Sequence, residues 1–110
     1  MNNNFLMELL KDFSLDQDKI LAENEILSEN ILEFLIDNGY IGKRKIDKYF
    51  SNKYNLPIYS NELEEKEIIN KYEDFIEFKD FIIIKAPYPN LMDYFEKLNK
   101  KIYINYNLFL

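Results

Sequence analysis

The sequence predicts an α+β fold in which N-terminal tandem helical hairpins pack on a small three-stranded β-β-α-β unit. Three observations lead there. Apolar residues recur at helical spacing through the first half of the chain. A helix–glycine–helix stretch at 30–54, NILEFLIDNGYIGKRKIDKYFSNKY, has a weaker copy upstream. From Phe75 onward the pattern changes to short runs dense in Phe and Ile. The repeat region covers 1–55 and the α/β unit 56–110. No break rich in Gly, Ser or Pro separates them, so one compact domain is expected.

The first helix follows from Phe5, Leu6, Leu9, Leu10 and Phe13. Ser14 with Gln17 has the capping-box pattern and opens a second helix, at about 15–24, carrying Leu15, Ile20 and Leu21. Ser28 caps a third at about 29–38, with Ile31, Leu32, Leu35 and Ile36 on its apolar face. Gly39 ends it, because glycine accepts the left-handed conformation that closes a helix. The fourth, at about 42–54, presents Ile46, Tyr49, Phe50 and Tyr54 inward and leaves Lys43, Lys45 and Lys48 mostly in water. At an offset of about twenty-six residues, Asn4, Leu6, Leu9, Lys19 and Ile20 fall on Asn30, Leu32, Leu35, Lys45 and Ile46. Phe13 then sits where Gly39 should be. Neither hairpin buries its stripe alone, so the two should pack together.

Leu56-Pro57-Ile58-Tyr59 is extended, since the residue before a proline is pushed out of the helical region. Asn61 with Glu64 marks a further helix to about Tyr72, burying Leu63, Ile68, Ile69 and Tyr72. Phe75–Phe78 and Phe81–Ala86 form a β-hairpin around Lys79-Asp80, a poor two-residue turn. Ile82-Ile83-Ile84 does not alternate, so that strand is covered on both faces. After Pro87-Tyr88-Pro89, Asn90 caps a helix with Leu91, Tyr94, Phe95 and Leu98 on one side. Ile102, Ile104 and Tyr106 alternate as a third strand, joined to the second by a parallel crossover. The apolar end Asn107-Leu108-Phe109-Leu110 suits either packing on the body or continuation into a longer protein.

Composition excludes much chemistry. The chain has neither cysteine nor histidine, which removes disulfides, thiolate metal sites and the usual base near neutral pH. The glycines of GYIGKRK do not have phosphate-loop spacing and suit the helical hairpin better. Asp16-Gln17-Asp18-Lys19 fails the calcium-loop pattern. Carboxylate pairs such as Glu64-Glu65 look solvent-facing. No enzyme, cofactor or metal is expected. No apolar run approaches the roughly 20 residues of a membrane span, and the start has no basic n-region, so cytoplasm is the expected location.

The net charge of −6 argues against a general nucleic-acid binder. That charge is segregated. Residues 1–38 and 62–80 are acidic, whereas 43–53 carry Lys43, Arg44, Lys45, Lys48 and Lys53 against Asp47. Such blocks steer charged partners, and they also suit plain solvated helix faces. The candidate protein-binding residues are Lys43, Arg44, Lys45 and Lys48, with Tyr40 as a rigid aromatic nearby. Tyr40, Tyr88 and Tyr103 equally suit partly buried structural positions.

Three passages together resemble the N-terminal module of the traffic ATPases of type II secretion and type IV pilus assembly (the GspE/PilB family). LIDNGYIGKRKIDKYFSNKYNLPIYS is similar to the family's hairpin and Leu-Pro stretch at Leu35, Ile36, Gly39, Ile41, Ile46, Leu56 and Pro57. IINKYEDFIEFKDFIIIKAPYPN resembles its strand–turn–strand with an A-x-x-P ending, at Ala86 and Pro89. LMDYFEKLNKKIYINY is similar to the helix and strand that follow. The likeness spans about 28–106. It implies a non-catalytic docking module that contacts the cytoplasmic part of an inner-membrane assembly platform protein, with no nucleic acid bound and no membrane insertion of its own. It also implies a peripheral location at the inner membrane through that partner. The family's ATP site lies in a later domain, so this region would belong to a longer ATPase or be a stand-alone relative. Some members bind cyclic di-GMP through a tandem motif that begins Arg-Leu-Gly. Asn30-Ile31-Leu32 and Asn4-Phe5-Leu6 stand at those positions, without either arginine, so no tight cyclic di-GMP binding is expected. The alternatives are a cyclic-dinucleotide sensor with a degenerate motif and a helical nucleic-acid-binding regulator.

Overall fold

The structure is a computed structural model that describes residues 3–20, 22 and 30–110. It is mixed α and β, and it divides into two compact units, Met1–Gly42 and Lys43–Leu110. That division falls earlier in the chain than 55/56.

In the first unit, α1 is Asn3–Asp12 and α2 is Ile31–Asp37, with a further helical stretch at 17–20. The apolar periodicity translates directly into burial: Phe5, Leu6, Leu9 and Leu10 on α1, and Leu32, Phe34, Leu35 and Ile36 on α2. Both helices end in the same left-handed stop. Gly39 has φ +77°, its N–H donates to the Ile36 carbonyl at 3.1 Å, and that of Tyr40 donates to Leu35 at 2.8 Å. A Cβ at Gly39 would meet nothing within 4 Å, so the demand there is conformational, not spatial. Ser14 takes the same role in α1 at φ 54°, with bonds from Ser14 to Lys11 and from Leu15 to Leu10. Ser14 is therefore a stop and not the expected cap. The cap is Asp16, whose Oδ1 accepts the Lys19 N–H at 3.2 Å. Ser14 corresponds to Gly39, and the loop after Gly39 is one residue longer before the next helix. Asn30 caps α2 by accepting from Leu32 and Glu33. The expectations for Leu21 and Ser28 lie outside the described residues.

The second unit contains α3 (Lys43–Tyr54), a 3-10 turn at Glu65–Glu67, β1 (Asn70–Lys71), β2 (Phe75–Glu77), β3 (Phe81–Ile84), α4 (Pro89–Lys97), β4 (Lys101–Ile104) and a 3-10 turn at Tyr106–Phe109. The sheet order is β1-β2-β3-β4. β1–β2 and β2–β3 are antiparallel, and β3–β4 is parallel across α4. Ile58 adds a single parallel bridge to Ile104 on the outer side of β4. The sheet thus has four strands where three were expected. The difference lies in 61–72, which holds the short turn and β1 instead of a helix. Leu63 and Ile68 are five residues apart, which does not make one helical stripe. The free edge of β2 captures the segment, pairing Asn70 with Glu77 and Lys71 with Ile76. Leu63 and Ile68 still reach the core around Tyr59, Ile76, Phe78 and Ile83, while Ile69 and Tyr72 stay exposed.

Ile82, Ile83 and Ile84 have no solvent exposure, as two-sided coverage requires. Lys79-Asp80 closes the hairpin through the Phe78 N–H to Phe81, at 2.9 Å, and Phe78 stacks on Phe81 with centroids 4.4 Å apart. On α4, the cap is Tyr88 with Pro89 at the first turn, and not Asn90; proline's missing N–H costs nothing there. Asn55 and Asn99, both at φ 54°, end α3 and α4.

Glu77 ties three strands' worth of chain together. Its Oε2 accepts from Lys100 Nζ at 2.8 Å and its Oε1 from Asn70 at 2.9 Å. Those two bonds, Lys100 first, hold its carboxyl below the usual range. A lowered folded pKa adds stability above the unfolded value, and this is lost as pH falls through the folded one. In Lys100→Met, the Glu77 titration followed by carboxylate NMR is expected to move up, with a shallower loss of stability in acid. An unchanged Glu77 titration would contradict this.

Candidate functional surface

Lys43, Arg44, Lys45 and Lys48 occupy the start of α3, and all four are exposed. Helical spacing brings Arg44 and Lys45 beside Lys48, at i+4 and i+3. For Lys43, Arg44 and Lys45, in the first turn, the placement runs against the helix macrodipole, whose positive end disfavours cations by about 0.3–1 kcal/mol each. The first turn contains no acidic residue to offset them. Lys53, in the last turn, sits where the dipole favours it, with its Nζ 5.8 Å from the Tyr49 ring centre. Tyr40 lies in the first unit. It is half-buried, 6.1 Å from Phe34 between ring centres, so the structure groups the four cations but gives Tyr40 a packing role of its own.

The opposite side of α3 shows how the face is held. Ile46 and Phe50 are fully buried, and Tyr49 and Tyr54 flank Phe50 at 5.4 and 6.1 Å. Asp47 is buried with them. Its Oδ1 accepts the Tyr106 N–H at 2.6 Å and its Oδ2 accepts from Asn107 Nδ2 at 3.1 Å. Asn107 also donates to the Lys43 carbonyl at 2.9 Å, closing the first turn of α3 onto the C-terminal 3-10 turn. Charge counting treats Asp47 only as a lone acid in a basic run. Its true signal is spacing: it stands three and seven residues before Phe50 and Tyr54, on the apolar side.

Tyr103 packs edge-on to Tyr59 and Phe81, and Tyr88 is half-buried at the start of α4. A shallow recess of about 330 Å³ is lined by Glu67, Phe78, Lys79, Asp80 and Phe81. Among the described residues, no group of three or more acidic side chains is placed to hold a metal ion. Among them, too, no helix is long and apolar enough to cross a membrane. The chain matches no protein-family model, no curated protein and no solved structure.

Proposed function

We propose that the chain is a non-catalytic docking module of a secretion or pilus-assembly ATPase, and that the basic start of α3 contacts the cytoplasmic part of an inner-membrane assembly protein. In this reading the helices are arranged as tandem hairpins, and Tyr40 is a further contact. The observation that carries it is the cluster of four exposed cations at the start of α3, three of them in the first turn at the wrong end of the helix dipole. Local rules of stability are broken most often where a function requires it. The three passages similar to the traffic ATPases add the kind of partner.

The reading has a test in which folding and binding move in opposite directions. Lys45→Glu with Lys48→Glu removes cations near the helix start and adds anions, so the melting temperature is expected to rise by about 3–6 °C. Pull-down of the assembly protein's cytoplasmic part is expected to fail with the same variant. A destabilised fold cannot then account for the loss. Retained binding would move the site off α3.

A further inference from the structure

We infer that the basic face of α3 is met in solution by a second copy of this chain, through its acidic segment 62–67; the inference rests on the docking reading of that face. Within six residues each, one side presents Lys43, Arg44, Lys45 and Lys48, and the other Glu62, Glu64, Glu65 and Glu67 with Lys66 as the one opposite charge among them. All of these side chains are exposed, and among the described residues none is in an ion pair. Both groups belong to the same unit, so every copy carries both halves.

Each group is also held in place. Asp47 and Asn107 fasten α3 to the C-terminal turn. Leu63 and Ile68 pin the acidic segment against the core, and the bonds from Glu67 to Glu64 and from Ile68 to Glu65 close its turn. The glutamates are thus a built surface and not a loose tail. Ile69 and Tyr72, exposed just beyond it, supply apolar contact of the kind that anchors interfaces. In a two-fold pair each α3 meets the other copy's segment, so one arrangement neutralises both groups twice. Complementary charge of this kind sets register and encounter rate, and salt screens it. The net charge of −6 opposes the pair, which keeps it weak. Self-pairing covers the docking face, so a partner must displace it.

Sedimentation equilibrium of the full chain tests this. Wild type is expected to show a concentration-dependent dimer at about 20 mM salt that is gone at about 500 mM. Lys45→Glu/Lys48→Glu and Glu64→Lys/Glu65→Lys should each be monomeric alone. Mixed in equal amounts they should dimerise again, though more weakly than wild type, because the acidic segment of the first variant meets the basic helix of the second, while the other contact sets a neutralised helix face against a weakly basic segment and adds little repulsion. Wild type that stays monomeric at low salt would overturn the inference. So would a dimer that survives high salt, or a mixture no heavier than its components. Each of these leaves the docking reading standing if the assembly protein is still captured through α3.

Discussion

Replacing Asp47 with alanine is expected to destabilise the second unit by about 2–4 kcal/mol, more than any other change on α3 outside its apolar core. Two terms add. The carboxylate accepts two hydrogen bonds, from Tyr106 N and Asn107 Nδ2, and bonds to a charged group contribute roughly 1.5–3 kcal/mol. Its removal also strands the N–H of a residue with no solvent exposure, a penalty of about 1–3 kcal/mol. These overlap, so the sum lies below their total. The melting temperature should fall by roughly 10–20 °C. Asp47→Asn keeps an oxygen for Tyr106 and should cost about half as much. Urea unfolding of the two variants separates the cases. Equal losses would show that the charge, and not the acceptor, holds the turn. A loss under about 0.5 kcal/mol for alanine would mean that water replaces the carboxylate there. The same bond bears on the proposed docking face: with it gone, the four cations lose the fixed seat from which they are presented.

Much of the second unit was legible because its signals are local. The β2–β3 hairpin, the three consecutive isoleucines and the parallel crossover each follow from spacing or burial within a few residues. Segment 61–72 was not legible for the opposite reason. Its cap pattern and charged composition favour helix, but the open edge of β2 and the core around Ile76 and Ile83 decide its path, and both lie later in the chain. Helix ends split the same way. Gly39 announces a left-handed stop, and Asn55 and Asn99 belong to the next most permissive type. Ser14 gives no such warning, since serine normally marks a helix start. The four cations were legible as a cluster from sequence alone. What fixes them was not, because Asp47 finds its partners about sixty residues away.

The crossover helix supplies the second large effect. Phe95 is the only buried residue of α4 and meets Phe75 edge-on at 5.1 Å. Tyr94, its neighbour, was expected in the core but is 48% exposed, and its ring rests against Phe75 at 5.8 Å from outside. One residue along a helix is about 100° of rotation, so the buried arc of α4 is narrow enough to contain one and exclude the other. Phe95→Ala is therefore expected to cost about 3–5 kcal/mol, the range for a large buried aromatic that leaves a cavity. Tyr94→Ala should cost about 1 kcal/mol, the worth of one aromatic contact with little area lost. Chemical denaturation of both variants reads the difference. Comparable losses would mean that α4 lies on the sheet through a broad face and that Phe95 is not its sole anchor. A large gap would mean that Phe95 is the main anchor of the helix linking β3 to β4, beside which Leu91, Met92 and Leu98 are only half-buried.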